Sequence, residues 1–484
     1  MEKEEIPKEA DNLVQNRDTT DSNVHLESFD EDKEIIINDK KRNVLFIVLT
    51  VIATLSSLDG GIIPQQNEVI QADFGSNDEE SVGLFGSIDY IGRVFGSIIF
   101  TLIMGRMNRK NMLVITLIFK AFTLIVPIIA DNNYEINLIA RGLSGISQVF
   151  YPIYLPVWCD QYAKKNLKAI WVMIVQIGNP IGIILGYGLG MLCEKLNLFF
   201  SSGWIDAFFL EGIFLAACAI LVLFFDKIYF SEKFVLIDDS KGKEVPNDVT
   251  IKIFKNIGKI VFNKIFTFST LCNSVAFFGI SVVQFYGDKY MEKVLKISEG
   301  ARFVLFALLC LFGPTSGMVF GGIICTKLGG YVNRKSMTFV IISMAAASVI
   351  SMTIACHKIS AIFIISGWLY LFGIGAVIPP ISGIIISCLE PNLRGDGFSF
   401  CNCFNNLIGS FPASYVFSLI VDGFGEEPEE DKYRYSWMII MCYNFLGLLY
   451  VIIAGIFRFR IKGDLSDDSQ EKEKLLENEN KNEE

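Results

Sequence analysis

Twelve apolar stretches of about 20 residues each recur between residues 44 and 457, and a helix of about that length crosses roughly 30 Å of hydrocarbon. They cover about 44–66, 81–104, 111–130, 136–158, 168–192, 204–226, 265–287, 301–325, 336–356, 360–388, 395–421 and 434–457. Polar residues interrupt the first, second and eleventh. The spacing predicts an all-α membrane protein. Composition agrees: 52% of residues are hydrophobic and 19% charged, with mean hydropathy +0.44, against about 25% charge in soluble domains. Residues 1–39 are polar and acidic, unlike a secretory signal peptide.

Lysine and arginine in the short loops orient the spans. Lys40, Lys41 and Arg42 precede the first; Arg106, Arg109 and Lys110 follow the second; Lys164, Lys165 and Lys168 follow the fourth. Lys327, Arg334 and Lys335 follow the eighth, and Arg458, Arg460 and Lys462 the twelfth. With alternating spans these fall on one face, which places both termini in the cytosol. The opposite loops are acidic or sparse ("DFGSNDEE", "ADNNYE", "DGFGEEPEEDK"), except "DKYMEKVLKISEG", which mixes both signs.

The chain divides into an acidic tail (1–39, expected to be disordered), a six-helix bundle (40–226), a cytosolic linker (227–263), a second six-helix bundle (264–460) and a second acidic tail (461–484). In the linker, "TIKIFKNIGKIVFNKIF" sets apolar residues at helical spacing among lysines. That fits an amphipathic helix on the membrane surface, a simple tie between bundles, or both. Asn-Arg-Lys occurs at Asn108 after the second span and at Asn333 after the eighth, the equivalent loop of each half. Two parallel six-span repeats are the architecture of the major facilitator fold.

Several patches resemble the Spinster-like branch of the major facilitator superfamily. "LSSLDGGIIPQQ" is similar to that family's first span, and "GRMNRKN" to its loop after the second. "ARGLSGISQVFYPIYLP", "NPIGIILGYGLG" and "NNLIGSFPASYVFSLIVD" resemble its fourth, fifth and eleventh spans. The resemblance implies a transporter of lysophospholipids or sphingoid lipids at plasma or endolysosomal membranes. Two positions depart from the pattern. Gly105 stands where the family loop carries an acid that helps to latch the bundles, and Thr326 takes the matching place in the second half. Gln148 replaces a fourth-span Glu implicated in proton coupling, so that route is closed here. Arg106, Arg109, Lys110, Arg334 and Lys335 remain as loop-motif residues that could meet helix C-termini or lipid phosphates.

An ionisable side chain within hydrocarbon is expensive and persists where it faces a cavity or a partner. Asp59 and Arg141, on the first and fourth spans, are expected to pair as the centre of the substrate and coupling site; a static tie between the two spans is the alternative. Asp89 and Arg93 stand four apart and share a helix face. Glu211 has no partner evident in the sequence, while Lys120, Asp206 and Arg302 are expected to snorkel. Gln148, Tyr151, Asn273 and Gln284 complete the polar candidates, with hydrogen bonding between helices as their other reading. Gly178, Gly182, Gly186 and Gly190 lie four apart and form a flat strip, expected at the sliding interface between bundles or in static packing.

No Walker-type loop and no Ser/His/Asp or metal-ligand constellation occurs, so the chain is read as neither ATP-driven nor an enzyme, and it calls for no cofactor. The eleven cysteines are spread singly and read as buried thiols. Leu475 and Leu476 behind acidic residues are either a sorting signal or plain solvated tail. The expectation is a monomeric alternating-access carrier of an amphiphile or, alternatively, a small organic anion; proton coupling stays open. A non-transporting sensor is the rival from another class.

Overall fold

The computed structural model describes residues 38–460 apart from 76–77, 104–106, 131–132, 165–167, 197, 201, 231–257, 332, 355–357 and 391–392. Residues 1–37 and 461–484 of the tails, residues 231–257 of the linker with the first part of its expected helix, and Arg106 lie outside the described residues.

The fold is all-α, built as two six-helix bundles. Among the described residues, eleven helices are long and apolar enough to cross a membrane. The first pass is α1 (Asp39–Leu55) and α2 (Asp59–Gln65), followed by α3 (Asn67–Asp73). Next come α4 (Glu79–Ile103) and α5 (Arg109–Ala130). The expected fourth span is two helices, α6 (Tyr134–Gln148) and α7 (Phe150–Tyr162), broken at Val149. This stretch, with Asn137, Arg141 and Gln148 inside it, is not among the eleven, although other interrupted passes, the first included, are. The first half closes with α8 (Lys168–Leu196) and α9 (Gly203–Leu223).

The second half begins with α10 (Lys264–Lys293). Its next pass is α11 (Glu299–Ala307), a π-helical turn at Leu308–Phe312, and α12 (Gly313–Lys327). Then follow α13 (Arg334–Ile354) and α14 (Ser360–Ser387). A second π-helical segment, Asn405–Ser410, joins α15 (Arg394–Phe404) to α16 (Phe411–Gly423). The last pass is α17 (Glu429–Met441) and α18 (Tyr443–Arg460).

The repeated Asn-Arg-Lys does the same work twice. Asn108 Oδ1 accepts the Lys110 N–H at 2.9 Å, and Asn333 Oδ1 accepts the Lys335 N–H at 2.9 Å. Each asparagine therefore caps the helix that starts one residue later, satisfying a donor that the helix cannot satisfy itself.

The halves meet where α4 packs on α15 and α16, α2 on α10, and α8 on α11. The described polar contacts across this seam gather at the end bearing the acidic loops. Asp422 of α16 accepts the N–H groups of Glu79 (3.1 Å) and Glu80 (2.8 Å), capping α4 from the other half. Lys289 of α10 pairs with Glu79, whose Oε1 also accepts the Tyr433 hydroxyl at 2.8 Å. Lys293 meets Glu68 at 2.6 Å, and Lys195 meets Glu299 at 2.8 Å.

Candidate functional site

The site begins with a break in the first pass. Between α1 and α2 the chain turns at Ser56–Leu58, and the Ser56 and Ser57 hydroxyls bond back to the Ala53 carbonyl (3.1 and 3.2 Å). The break releases the Ser56 carbonyl, which accepts Gln148 Nε2 at 2.6 Å and also the Lys120 ammonium. Asp59 opens α2 directly afterwards, its Oδ1 accepting the Gly60 N–H at 3.0 Å. The glycines after Asp59 do not make the break. They let α2 lie close to α8: a Cβ on Gly61 would fall 1.8 Å from the Ile183 carbonyl oxygen.

Asp59 is fully buried and carries two cations. Arg141 Nη1 donates to its Oδ2, and Lys120 Nζ stands 3.3 Å from the same oxygen. Arg141 Nη2 reaches Asp89 Oδ2 at 3.8 Å. Asp89 in turn receives Arg93 through Nε at 3.1 Å and Nη2 at 2.7 Å. On the far side, Lys120 lies 3.2 Å from Glu211 Oε1. Six charges thus alternate in sign along one line, Arg93, Asp89, Arg141, Asp59, Lys120 and Glu211, contributed by α4, α6, α2, α5 and α9. Alternation lowers the cost of burying such charges, since a buried charge without a partner costs several kcal/mol.

The two ends of this ladder differ. The Glu211 and Lys120 side chains are both 0% exposed, whereas Arg93 is 22% exposed. Helical spacing sets Arg93 beside Tyr90, whose ring it covers at 4.6 Å, and beside Ser97, whose hydroxyl bonds the Arg93 carbonyl. That face meets the other half, where Cys403 Sγ lies 3.9 Å from the Val94 carbonyl. Tyr90 also hydrogen-bonds Ser281 of α10 in the other half, so the guanidinium stacked on its ring lies beside the seam. A cavity of about 10 Å³, lined by Arg141, Ser144, Asn137, Thr123 and Phe208, lies beside the middle of the ladder; a single water needs about that much room.

The sequence expectation of an Asp59–Arg141 pair and of an Asp89–Arg93 pair matches this arrangement. Others need correction. Lys120 does not snorkel: it sits 11 residues into α5, roughly 16 Å along the axis at 1.5 Å per residue, too deep for its side chain to reach either interface. It is the partner that Glu211 lacked. Asp206 does not reach for the interface either, because its carboxylate accepts the N–H groups of Leu198, Phe199 and Phe200 at 3.0–3.1 Å. Arg302 is held by Asp288 (3.6 Å) and Glu292.

The glycine strip packs within the first half. A Cβ on Gly182 would lie 2.2 Å from the Thr54 carbonyl oxygen, and one on Gly186 would lie 1.9 Å from that of Leu58. Gly178 likewise faces Thr54. The strip seats α8 on the broken first pass rather than on the other bundle. Tyr187, on a different face, stacks on Phe303 of the second half at 5.8 Å.

Of the remaining candidates, Tyr151 is buried in the first turn of α7, in the field of Glu211 and Asp59. Asn273 lies in the second half, where its Nδ2 donates to Asn405 Oδ1 at 3.3 Å, while Gln284 is half-buried on α10. Lys110 caps the end of α9 through the Leu223 (2.9 Å) and Phe225 (2.5 Å) carbonyls. Arg109 touches Met112 Sδ at 4.0 Å, and Arg334 and Lys335 open α13. The sequence offered no sign of the Ser56 carbonyl or of the Asp422 cap.

The chain matches the family described as the Major Facilitator Superfamily over residues 45–414. It is 22% identical over 445 residues to the probable sphingolipid transporter spinster homolog 1 of Arabidopsis thaliana, covering 85% of each chain. With the sphingosine-1-phosphate transporter SPNS2 of Danio rerio it shares 23% identity over 412 residues, covering 80% of this chain and 76% of that one. The fold superposes on a bacterial homolog of the human lysosomal transporter Spinster, in its inward-facing and unoccupied conformation, with TM-score 0.69 and 13% identity over 89% of this chain and 100% of the other.

Proposed function

The chain belongs to the major facilitator superfamily, and from that premise we propose that it carries an amphiphile with a charged head, a lysophospholipid or sphingoid lipid, across the membrane by alternating access. The ladder that ends in Arg93 between the two halves carries this reading. A guanidinium recognises phosphate or carboxylate oxygens through paired hydrogen bonds. Names of the relatives support the same class, since the two quoted are sphingolipid and sphingosine-1-phosphate transporters.

In this reading Asp59 and Arg141 form the pivot. Head-group oxygens compete with the acids of the ladder for its cations, and re-forming the Asp59–Arg141 pair accompanies the return step. The polar contacts at the acidic end hold that end shut in this state, and the cycle requires them to part. The protein acts as a monomer of two bundles, bounded at 40–226 and 264–460, with the linker of 227–263 and both termini in the cytosol. Its membrane is the plasma or endolysosomal one.

Purified protein in liposomes tests the proposal. Uptake of lysophosphatidylglycerol is compared with uptake of benzoate, a small organic anion. Asp59→Asn and Arg141→Ala are each expected to lower lysolipid flux at least tenfold. Wild-type flux in both variants would remove the pair from the site. Benzoate uptake without lysolipid uptake would favour the small-anion reading, and binding without flux of either would make the protein a sensor.

A further inference from the structure

Glu211 takes no part in the pivot, yet its surroundings are unlike those of any other acid in the ladder. Asp59 has Arg141, Lys120, Gln148 and the Gly60 N–H around it. Asp89 has two guanidiniums. Glu211 has Lys120 as its one close charged partner among the described residues, and that ammonium is shared with Asp59 and the Ser56 carbonyl. An ionised carboxylate accepts up to about four hydrogen bonds, and this one, fully buried, is the least well served of the three.

The groups facing it come from every element packed nearby. They are Lys120 of α5, Asp59 of α2, Arg141 of α6 and Tyr151 of α7. From α3, Asp73 meets α9 at its first turn, accepting the Trp204 indole N–H at 2.7 Å, and Glu194 of α8 lies against Gly203. Both lie about two turns from Glu211. No third cation among these groups replaces Lys120.

Resting on the transport reading above, we infer that Glu211 is the proton-carrying residue and that the ladder couples this proton to an anionic substrate group held at Arg93. With all six groups ionised the charges cancel (3 − 3 = 0). One proton adds to a Glu211 oxygen from a hydronium ion, whose O–H bond breaks to leave water, and the ladder stands at +1 (3 − 2). Lys120 then leans wholly on Asp59. Asp59 relaxes its hold on Arg141, Arg141 moves toward Asp89, and Asp89 releases Arg93. The alternation shifts by one partner, so that a proton taken at the buried end presents a cation at the exposed end. A singly charged head group brings the sum back to zero. The small cavity between Arg141 and Phe208, one helical turn from Glu211, offers room for a water on the approach.

By reciprocity, if protonation strengthens anion binding, anion binding must draw in a proton. Lysophosphatidylglycerol is added to the purified wild type in weak buffer, and the pH is followed. About one proton taken up per molecule bound is expected for a one-to-one coupling. In Glu211→Gln, which mimics the protonated acid, uptake disappears and affinity at high pH rises to the wild-type value at low pH. Glu211→Asp restores uptake and serves where the glutamine variant folds poorly. Binding without proton uptake by the wild type overturns the inference while leaving the transport reading intact, as does a Glu211→Gln variant with the wild-type pH dependence. A wild type that binds neither lysophosphatidylglycerol nor benzoate overturns both.

Discussion

Lys120, like Arg141, holds two acids at once, but it is also the one close cation of Glu211 among the described residues, so its loss should be felt strongly. Lys120→Met leaves Glu211 without a cation in a fully buried place. Removing one partner of a buried pair costs roughly 3–5 kcal/mol, and that fall is expected in the unfolding free energy in detergent. Arg93→Met, at the partly exposed end, should cost clearly less; equal losses would show that burial does not grade the ladder. Gln148 makes a second residue-scale point. Its amide donates to the Ser56 carbonyl, which an ionised glutamate cannot do. Gln148→Glu is therefore expected to reduce transport at high pH and to recover as the new acid takes a proton. Asp59 with Arg141, and Asp89 with Arg93, were legible as pairs. The first follows from two charges on spans expected to be neighbours, the second from a spacing of four. Lys120 with Glu211 was not, because a lone charge on each of two helices does not say which faces meet. The depth of Lys120 within its helix was a readable signal against snorkelling.

At the scale of elements, the passes follow from apolar length and the caps from local chemistry. Asn108→Ala and Asn333→Ala should each lower stability by about 1 kcal/mol, the usual value of a helix N-cap, measured by thermal unfolding in detergent. Similar losses in both would bear out the equivalence of the two halves. The seating of α8 is less forgiving. Gly186→Val would drive a branched side chain into the Leu58 backbone, so α8 should move off α2 and lysolipid flux should fall at least tenfold. Four glycines at a spacing of four announced a close approach, but not the helix approached. That choice depends on which segments the fold brings together. The turn at Ser56–Leu58 holds no glycine or proline that would announce it in the sequence.

For the whole molecule, the closed acidic end is the feature that the cycle must undo. Burial pushes the Glu68 carboxyl up, but the Lys293 ammonium bonded to it outweighs this and holds it below the usual range. An acid with a lowered value in the closed form stabilises that form above its ordinary titration point and ceases to as pH falls through the lowered value. The tie should therefore stand at neutrality and weaken only below about pH 4.3, the ordinary glutamate value. Spin labels placed across this end would report a wider separation at such pH in the wild type, and no further pH effect in Glu68→Gln. Asp422→Ala should widen the same distance at neutral pH. Two repeats and two bundles were legible in the sequence, but the state of the seam was not, since it depends on side chains some 340 positions apart, such as Asp422 and Glu79.

The bond from Asp422 to the start of α4 has a further consequence. Each time that end parts, two backbone amides exchange a carboxylate for solvent. Opening is thereby a hydration step, and solutes that lower water activity without entering the gap should slow it, as they would slow the swelling of a gel.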